Sequence, residues 1–204
     1  MDRIRRQQID VPRRTALDFG CGIGRTTQAL VFHFERVCGL DISPTMIREA
    51  ERHNRFHRAC QYVLNCEPDL SRFKSGSFDF VYSSRTLQYL EPELTLCYVR
   101  EFIRLLSPHG LAVFQLPSQE NTTFRLVAQR RVAASLRPPG SRQSDDPTSR
   151  VPMHYVPRAR IEQAVLAAGA TVVASERDRC VDRRWMSHRY YVGKPRTRRP
   201  FSRS

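Results

Sequence analysis

The stretch Thr15–Leu30, TALDFGCGIGRTTQAL, constrains the fold of this chain more than any other. A short apolar run, Ala16-Leu17, ends in Asp18 and leads into a glycine-spaced turn, Gly20-Cys21-Gly22-Ile23-Gly24. Beyond the turn, Thr27, Leu30, Val31 and Phe34 fall at i, i+3, i+4 and i+7, one face of a helix. Strand, glycine turn and helix in that order build a nucleotide site at the first βα junction of a doubly wound sheet. Glycine is required there because the backbone turns tightly and a ligand approaches where a Cβ would stand. A dinucleotide site spaces its glycines G-x-G-x-x-G and lays a pyrophosphate on the helix N-terminus. Here the spacing is G-x-G-x-G, with an acid two residues before the first glycine. That pattern suits a cationic, phosphate-free ligand better than a pyrophosphate, and makes an NAD-dependent dehydrogenase the lesser reading.

The 204 residues fit one domain large enough to bury a real core. No apolar run approaches the roughly 18 residues of a membrane span, and Met1–Arg14 is polar and arginine-rich, without the apolar segment of a secretory signal. The six cysteines show neither CxxC nor zinc spacing, so they read as reduced thiols of a cytoplasmic protein. A net charge of +14 raises the question of a nucleic-acid partner. Yet only Lys74 and Lys194 among the 34 basic residues are lysine, a skew that a GC-rich genome produces by itself. The charges are also dispersed over both termini, the 125–150 stretch and several helix faces. Nucleic acid is therefore a possible partner but not the favoured one.

Asp18-Phe19-Gly20-Cys21-Gly22-Ile23-Gly24 resembles motif I of the class I S-adenosylmethionine (SAM) methyltransferases. The resemblance spans Thr15 to Lys194 and implies an α/β fold. That fold is a doubly wound, Rossmann-like seven-stranded sheet of order 3-2-1-4-5-7-6, with the last strand antiparallel and helices on both faces. It implies SAM as cofactor, with Asp18 facing its ammonium end. Gly20, Cys21, Gly22 and Gly24 would admit its methionine and ribose portion. The strand Arg36–Asp41 ends in an acid about 20 residues past the first glycine, where a carboxylate can accept both ribose hydroxyls. Ser43 reads as an N-cap and Pro44 as the first helical residue. By the same resemblance Ile42 packs on the adenine and Met46 adds to that pocket. After a third strand at Gln61–Asn65, the residues Asn65, Cys66 and Glu67 compete to reach the adenine amino group.

Phe73–Leu90 resembles the fourth strand of that family, Phe78-Asp79-Phe80-Val81-Tyr82, with a loop from Ser83 to Leu90 beside the transferred methyl. Many relatives place histidines where this chain has Gln88-Tyr89. An amide has no useful pKa, so Gln88 could orient a substrate and not deprotonate it. Glu93–Leu106 is an amphipathic helix ended by Ser107-Pro108-His109-Gly110, and Leu111–Leu116 a fifth strand. From Ser118 to Arg150 the core pattern lapses. Thr122–Leu136 could be helical, and the breaker-rich stretch after Pro138 reads as a loop. We expect 118–150 to form a substrate lid within a single domain of residues 1–194, and 195–204 to be a basic disordered tail. A helix opened by Pro157 carries Ile161, Ala164, Val165 and Ala168 on one face. Strands at Thr171–Ser175 and Ser187–Val192 follow, joined by a hairpin at Asp178–Arg184, with Trp185 and Tyr190 at the sheet edge. Met1–Arg14 leaves little room for cover before the first strand. The site is then open, covered from elsewhere, or preceded by more chain.

A SAM methyltransferase mainly positions a nucleophile in line with an already activated methyl. A hydroxyl acceptor benefits from a base, and His154, beside Tyr155 at the entry to the Pro157 helix, is the candidate. Catalytic candidates are thus His154, Tyr155 and Gln88; Ser83 joins the cofactor set. No Asn/Asp-Pro-Pro-aromatic motif follows strand four, where the chain reads Ser83-Ser84-Arg85-Thr86, which argues against methylation of an exocyclic base amine. No metal-ligand spacing is present, which argues against a magnesium-dependent reaction. The wording of Asn65–Ser84, Phe114–Ser118 and Trp185–Ser187 is similar to small actinobacterial members of the family, a pointer to a glycan or lipid hydroxyl. The favoured function is methyl transfer to a small-molecule, glycan or lipid acceptor on oxygen. RNA or protein methylation, or SAM binding without catalysis, are the alternatives.

Overall fold

The computed structural model describes residues 10–122, 152–178 and 185–194. Seven strands among them make one sheet: β1 (Thr15–Phe19), β2 (Arg36–Asp41), β3 (Cys60–Leu64), β4 (Phe78–Ser83), β5 (Leu106–Glu120), β6 (Thr171–Asp178) and β7 (Trp185–Gly193). Their order is β3-β2-β1-β4-β5-β7-β6, with β1 to β5 parallel and β7 antiparallel to both its neighbours. This is the architecture that the resemblance implies. The chain winds outward from β1 in both directions, to β2 on one side and β4 on the other. The switch point of the topology, where such sheets bind ligands, therefore lies at the carboxyl end of β1.

Alternate residues of the strands feed two cores, as the period of two requires. Leu17, Phe19, Val81, Phe114 and Tyr190 face α3 (Pro92–Leu105) and α4 (Arg158–Ala167), packing with Phe102, Ile161 and Val165. On the other face Ala16, Val37, Phe80 and Val113 pack with Leu30 of α1 (Arg25–Leu30) and with Phe34. The capping chemistry is as the sequence suggests. Ser43 Oγ accepts from Met46 N at 3.3 Å to start α2 (Pro44–Arg52), and Gly169, at φ 75°, follows α4 where the chain must turn left-handed.

Asp79 ties three strands together at the opposite end from the switch point. Its carboxylate, 1% exposed, accepts from Ser107 Oγ at 2.6 Å, Arg14 N at 3.0 Å and Thr15 N at 3.2 Å, and pairs with the Arg14 guanidinium at 3.2 Å. The Ser107–Gly110 segment is consequently not a turn between elements. It is an excursion inside β5, with Phe78 paired to Leu106, Phe80 paired to Leu111, and His109 at φ 66°.

β5 also runs past Leu116 to Glu120, because β7 pairs with it from Gly193 to Trp185, with a register shift between Pro117 and Gln119. The lapse expected from Ser118 thus begins later. Tyr190 is not at the sheet edge: β7 lies between β5 and β6, so Tyr190 is fully buried and stacks on Phe114 at 5.4 Å. Trp185 is half-buried against Tyr155, with ring centroids 5.9 Å apart. Of the lid expected over 118–150 and the helix at Thr122–Leu136, the residues from 123 on lie outside the described residues, as do 179–184 of the hairpin turn expected at Asp178–Arg184 and the tail at 195–204. Among the described residues no helix is long and apolar enough to cross a membrane.

Candidate active site

At the switch point, the glycine turn is latched to the end of β2. Gly20 N and Cys21 N both donate to Leu40 O, at 2.8 and 3.0 Å. Gly20, Gly22 and Gly24 have φ of 74°, 54° and 79°, the left-handed region that favours glycine. A Cβ on Gly20 would overlap Thr86, and one on Gly24 would overlap Tyr62. At Gly22 a Cβ would meet nothing within 4 Å, so here the backbone is bare toward open space, where a ligand can approach it.

A cleft opens beside this turn, lined by Gly20, Asp41, Ile42, Asn65, Thr86 and Tyr98 among others. Asp41 anchors it: Oδ2 accepts from Gly22 N at 2.8 Å and Oδ1 from Ser43 N at 2.9 Å. The carboxylate is thereby oriented with lone pairs to spare, since two oxygens offer about four acceptor sites. Ile42 is 70% exposed and offers an apolar platform at the cleft wall.

Of the three residues competing after β3, only Asn65 lines the cleft; Cys66 and Glu67 are exposed and do not. Asn65 Nδ2 donates to the carbonyls of Glu67 and Asp69 at 2.9 and 3.0 Å, which leaves Oδ1 to meet a ligand donor. Met46, in the first turn of α2, is not among the lining residues.

Asp18 takes a different position from the rest. It is 3% exposed behind the turn, with Oδ2 accepting from Thr27 Oγ1 at 2.7 Å. Burial raises its pKa to about 6, Thr27 opposing and the nearby Asp41 carboxylate adding to the rise. The Cys21 thiol is pushed up by burial, with Asp18 and Asp41 adding to it, and so stays protonated. Two carboxylates under a bare glycine turn make a negative site suited to a cation.

The catalytic candidates gather at the neighbouring loop. Gln88, on a single 3₁₀ turn at Leu87–Tyr89, is 3% exposed, and its carbonyl accepts from His154 N at 2.7 Å. His154 Nε2 lies 3.5 Å from Glu91 Oε1. Tyr155 is turned to Trp185 instead. Ser83 Oγ and Gln88 Oε1 are buried without a hydrogen-bond partner, polar atoms that a bound ligand could satisfy. Tyr62, Thr86 and Tyr98 were not identified from the sequence as site residues. Tyr62 and Tyr98 carry only strand and helix periodicity there, and Thr86 gains its place from a turn that no pattern marks.

Residues 17–114 match the family described as Methyltransferase domain. The trans-aconitate 2-methyltransferase of Methylobacterium nodulans is 33% identical over 138 residues, 65% of this chain and 48% of that protein. The ubiquinone biosynthesis O-methyltransferase of Xanthomonas campestris pv. campestris is 26% identical over 141 residues, 68% of this chain and 58% of that protein. The chain spans about half the length of the trans-aconitate relatives it matches. Among solved structures, a SAM-dependent methyltransferase of Methanosarcina mazei superposes with TM-score 0.69 at 18% identity, covering 93% of this chain and 96% of that one. Magnesium protoporphyrin IX methyltransferase of Synechocystis PCC 6803, with bound S-adenosylhomocysteine (SAH), gives 0.67 at 16%, covering 95% and 80%.

Proposed function

From a chain that belongs to the class I SAM-dependent methyltransferases, we propose an enzyme that transfers the methyl group of SAM to an oxygen of a small-molecule acceptor. The observation that carries this reading is the pairing of Asp41 with the bare Gly22 backbone at one cleft mouth. Asp41 accepts from the ribose hydroxyls, Ile42 lies against the adenine, and Asn65 Oδ1 accepts from its amino group. Gly22 admits the chain that links ribose to methionine, and Asp18 contributes negative charge from behind the turn rather than by contact. Relatives named for trans-aconitate and ubiquinone support a small molecule as acceptor, and a glycan or lipid hydroxyl belongs to the same chemistry.

When bound, SAM supplies a methyl on a sulfonium, which needs no acid or metal to leave. This chain's work is then to desolvate and aim the acceptor oxygen. Gln88 Oε1 and Ser83 Oγ, buried and without a hydrogen-bond partner, hydrogen-bond the acceptor, and His154 takes the hydroxyl proton at Nδ1 or Nε2. Glu91 stabilises the imidazolium that results.

Calorimetric titration with SAH and, separately, with NAD tests the cofactor half of the reading. Micromolar SAH binding, lost in Asp41→Ala and absent for NAD, is expected; NAD binding, or neither, overturns it. Transfer of labelled methyl from SAM across a panel of hydroxyl, carboxyl and amine acceptors tests the oxygen preference.

A further inference from the structure

Arg85 has φ 59°, the left-handed region that an arginine rarely adopts, two residues past the end of β4. A buried side chain from the next strand holds that peptide. Arg85 N donates to Gln115 Oε1 at 2.9 Å, and Gln115 Nε2 donates to Ser187 Oγ at 2.5 Å. The amide orientation follows from chemistry, because a backbone N–H can only donate and so must face the oxygen. Gln115 and Ser187 are each 1% exposed. The residue after Arg85 is Thr86, which lines the cleft and occupies the space that a Cβ on Gly20 would need; its Oγ1 lies 3.3 Å from Ser84 O and 3.5 Å from Gly20 O, the two acceptors open to its hydroxyl.

We propose that Gln115 is a positioning residue of the cofactor site, relaying the rigid β5–β7 ladder through the strained Arg85 peptide to Thr86 and so to the glycine turn. This rests on reading the cleft as the SAM site. Strand pairing does not need the side chain, since backbone hydrogen bonds already join β4 to β5 and β5 to β7. Its neighbours on the strand, Phe114 and Leu116, are apolar and buried, as is Val113, which shares its side of the sheet. An amide amid apolar neighbours is costly unless both its ends are used, and here both are, one of them by a loop that carries a site residue. Without that acceptor, the Arg85 N–H loses the partner that holds its left-handed conformation, and Thr86 is free to leave Gly20.

The test is SAH affinity by calorimetry, at a temperature where circular dichroism shows each variant folded, for Gln115→Met, Gln115→Glu and Ser187→Ala. Methionine keeps the volume and removes both bonds; we expect its SAH Kd to rise about tenfold. Glutamate keeps an oxygen for Arg85 N–H and can accept from the Ser187 hydroxyl, and is expected to recover most of the loss. Ser187→Ala frees the far end of the relay and should raise Kd about threefold. A purely structural Gln115 would lower the unfolding temperature and leave Kd of the folded variant unchanged. A Gln115→Met Kd within about twofold of wild type therefore overturns the proposal, and so does a glutamate variant as weak as methionine. If Gln115→Met does not fold, Ser187→Ala decides, and a wild-type Kd there overturns it equally. Failure of the unmodified chain to bind SAH instead removes the cofactor reading, and this proposal with it.

Discussion

Tyr62 stands over Gly24: its hydroxyl donates to the Gly24 carbonyl at 3.4 Å, and its ring fills the space a Cβ on Gly24 would take. A Cβ on Gly22, two residues earlier, would meet nothing within 4 Å. The two glycines are therefore needed for different reasons, and alanine separates them. Gly24→Ala combines a left-handed alanine with overlap against Tyr62 and should cost about 2–4 kcal/mol of stability in urea denaturation. Gly22→Ala bears only the conformational cost, about 1–2 kcal/mol, yet puts a methyl where the ligand approaches. Its SAH Kd should rise at least about tenfold. Unchanged affinity in folded Gly22→Ala would mean that the ligand does not pass over this turn.

Asp79 is the stability counterpart at the far end of the sheet. Removing its carboxylate strands the Ser107 hydroxyl and the N–H groups of Arg14 and Thr15 together, so Asp79→Ala should cost about 2–4 kcal/mol. Arg14→Ala should cost less than about 1 kcal/mol, because its guanidinium is largely in water and Asp79 keeps its other donors. Equal losses in the two variants would locate the stabilisation in the ion pair instead of the hydrogen-bonded carboxylate. Burial works against the Asp79 charge, but the bonds from Ser107, Arg14 and Thr15 outweigh it and hold the pKa below the ordinary 3.8. Its contribution is then present above that pH and lost as pH falls through the lower, folded value.

Much of this was written in local patterns. The glycine turn, the acid at the end of β2, the Ser43-Pro44 cap and the helix stripes each depend on residues adjacent in sequence, and each was legible. What was not legible depends on pairing across distance. Tyr190 looks like an edge residue from its place near the chain's end, although the implied strand order already sets β7 between β5 and β6; its burial follows from pairing with both. The excursion at Ser107–Gly110 looked like a turn because its reason, the Asp79 carboxylate, lies 28 residues earlier. That Asn65 lines the cleft while Cys66 and Glu67 do not goes with the Asn65 amide being bonded to its own loop, which no spacing reveals.

On the proposed reading, a His154 variant separates catalysis from binding. Its backbone is fixed on Gln88 O and its ring faces Glu91, so truncating the ring leaves the cleft beside Asp41 intact. His154→Ala should lose about 10²–10³-fold in turnover with a hydroxyl acceptor while binding SAH like the unmodified chain. Glu91→Gln should lose less, about tenfold, because the role proposed for Glu91 is only to stabilise the charged ring. An undiminished rate in His154→Ala would assign the proton to solvent or to the acceptor itself.

Asp18 gives the chain a pH dependence of the opposite sign to Asp79. Burial lifts its pKa from 3.8 to about 6, so the folded chain holds this proton more tightly than the unfolded one. Stability from this group is therefore greatest below its unfolded pKa, falls as pH climbs from 3.8 toward about 6, and then levels off. A rise from 3.8 to about 6 corresponds to about 3 kcal/mol as an order of magnitude. Asp18→Asn removes the titration, so its stability relative to the unmodified chain should rise between about pH 4 and 6 and stay flat above. Binding adds a second, independent reading. A cationic ammonium near the turn favours the ionised carboxylate, so SAH should bind more tightly as pH rises through about 6, and Asp18→Asn should lose that slope. Parallel slopes in the two proteins would place the titration on another group and leave Asp18 as a hydrogen-bonded anchor for Thr27 alone.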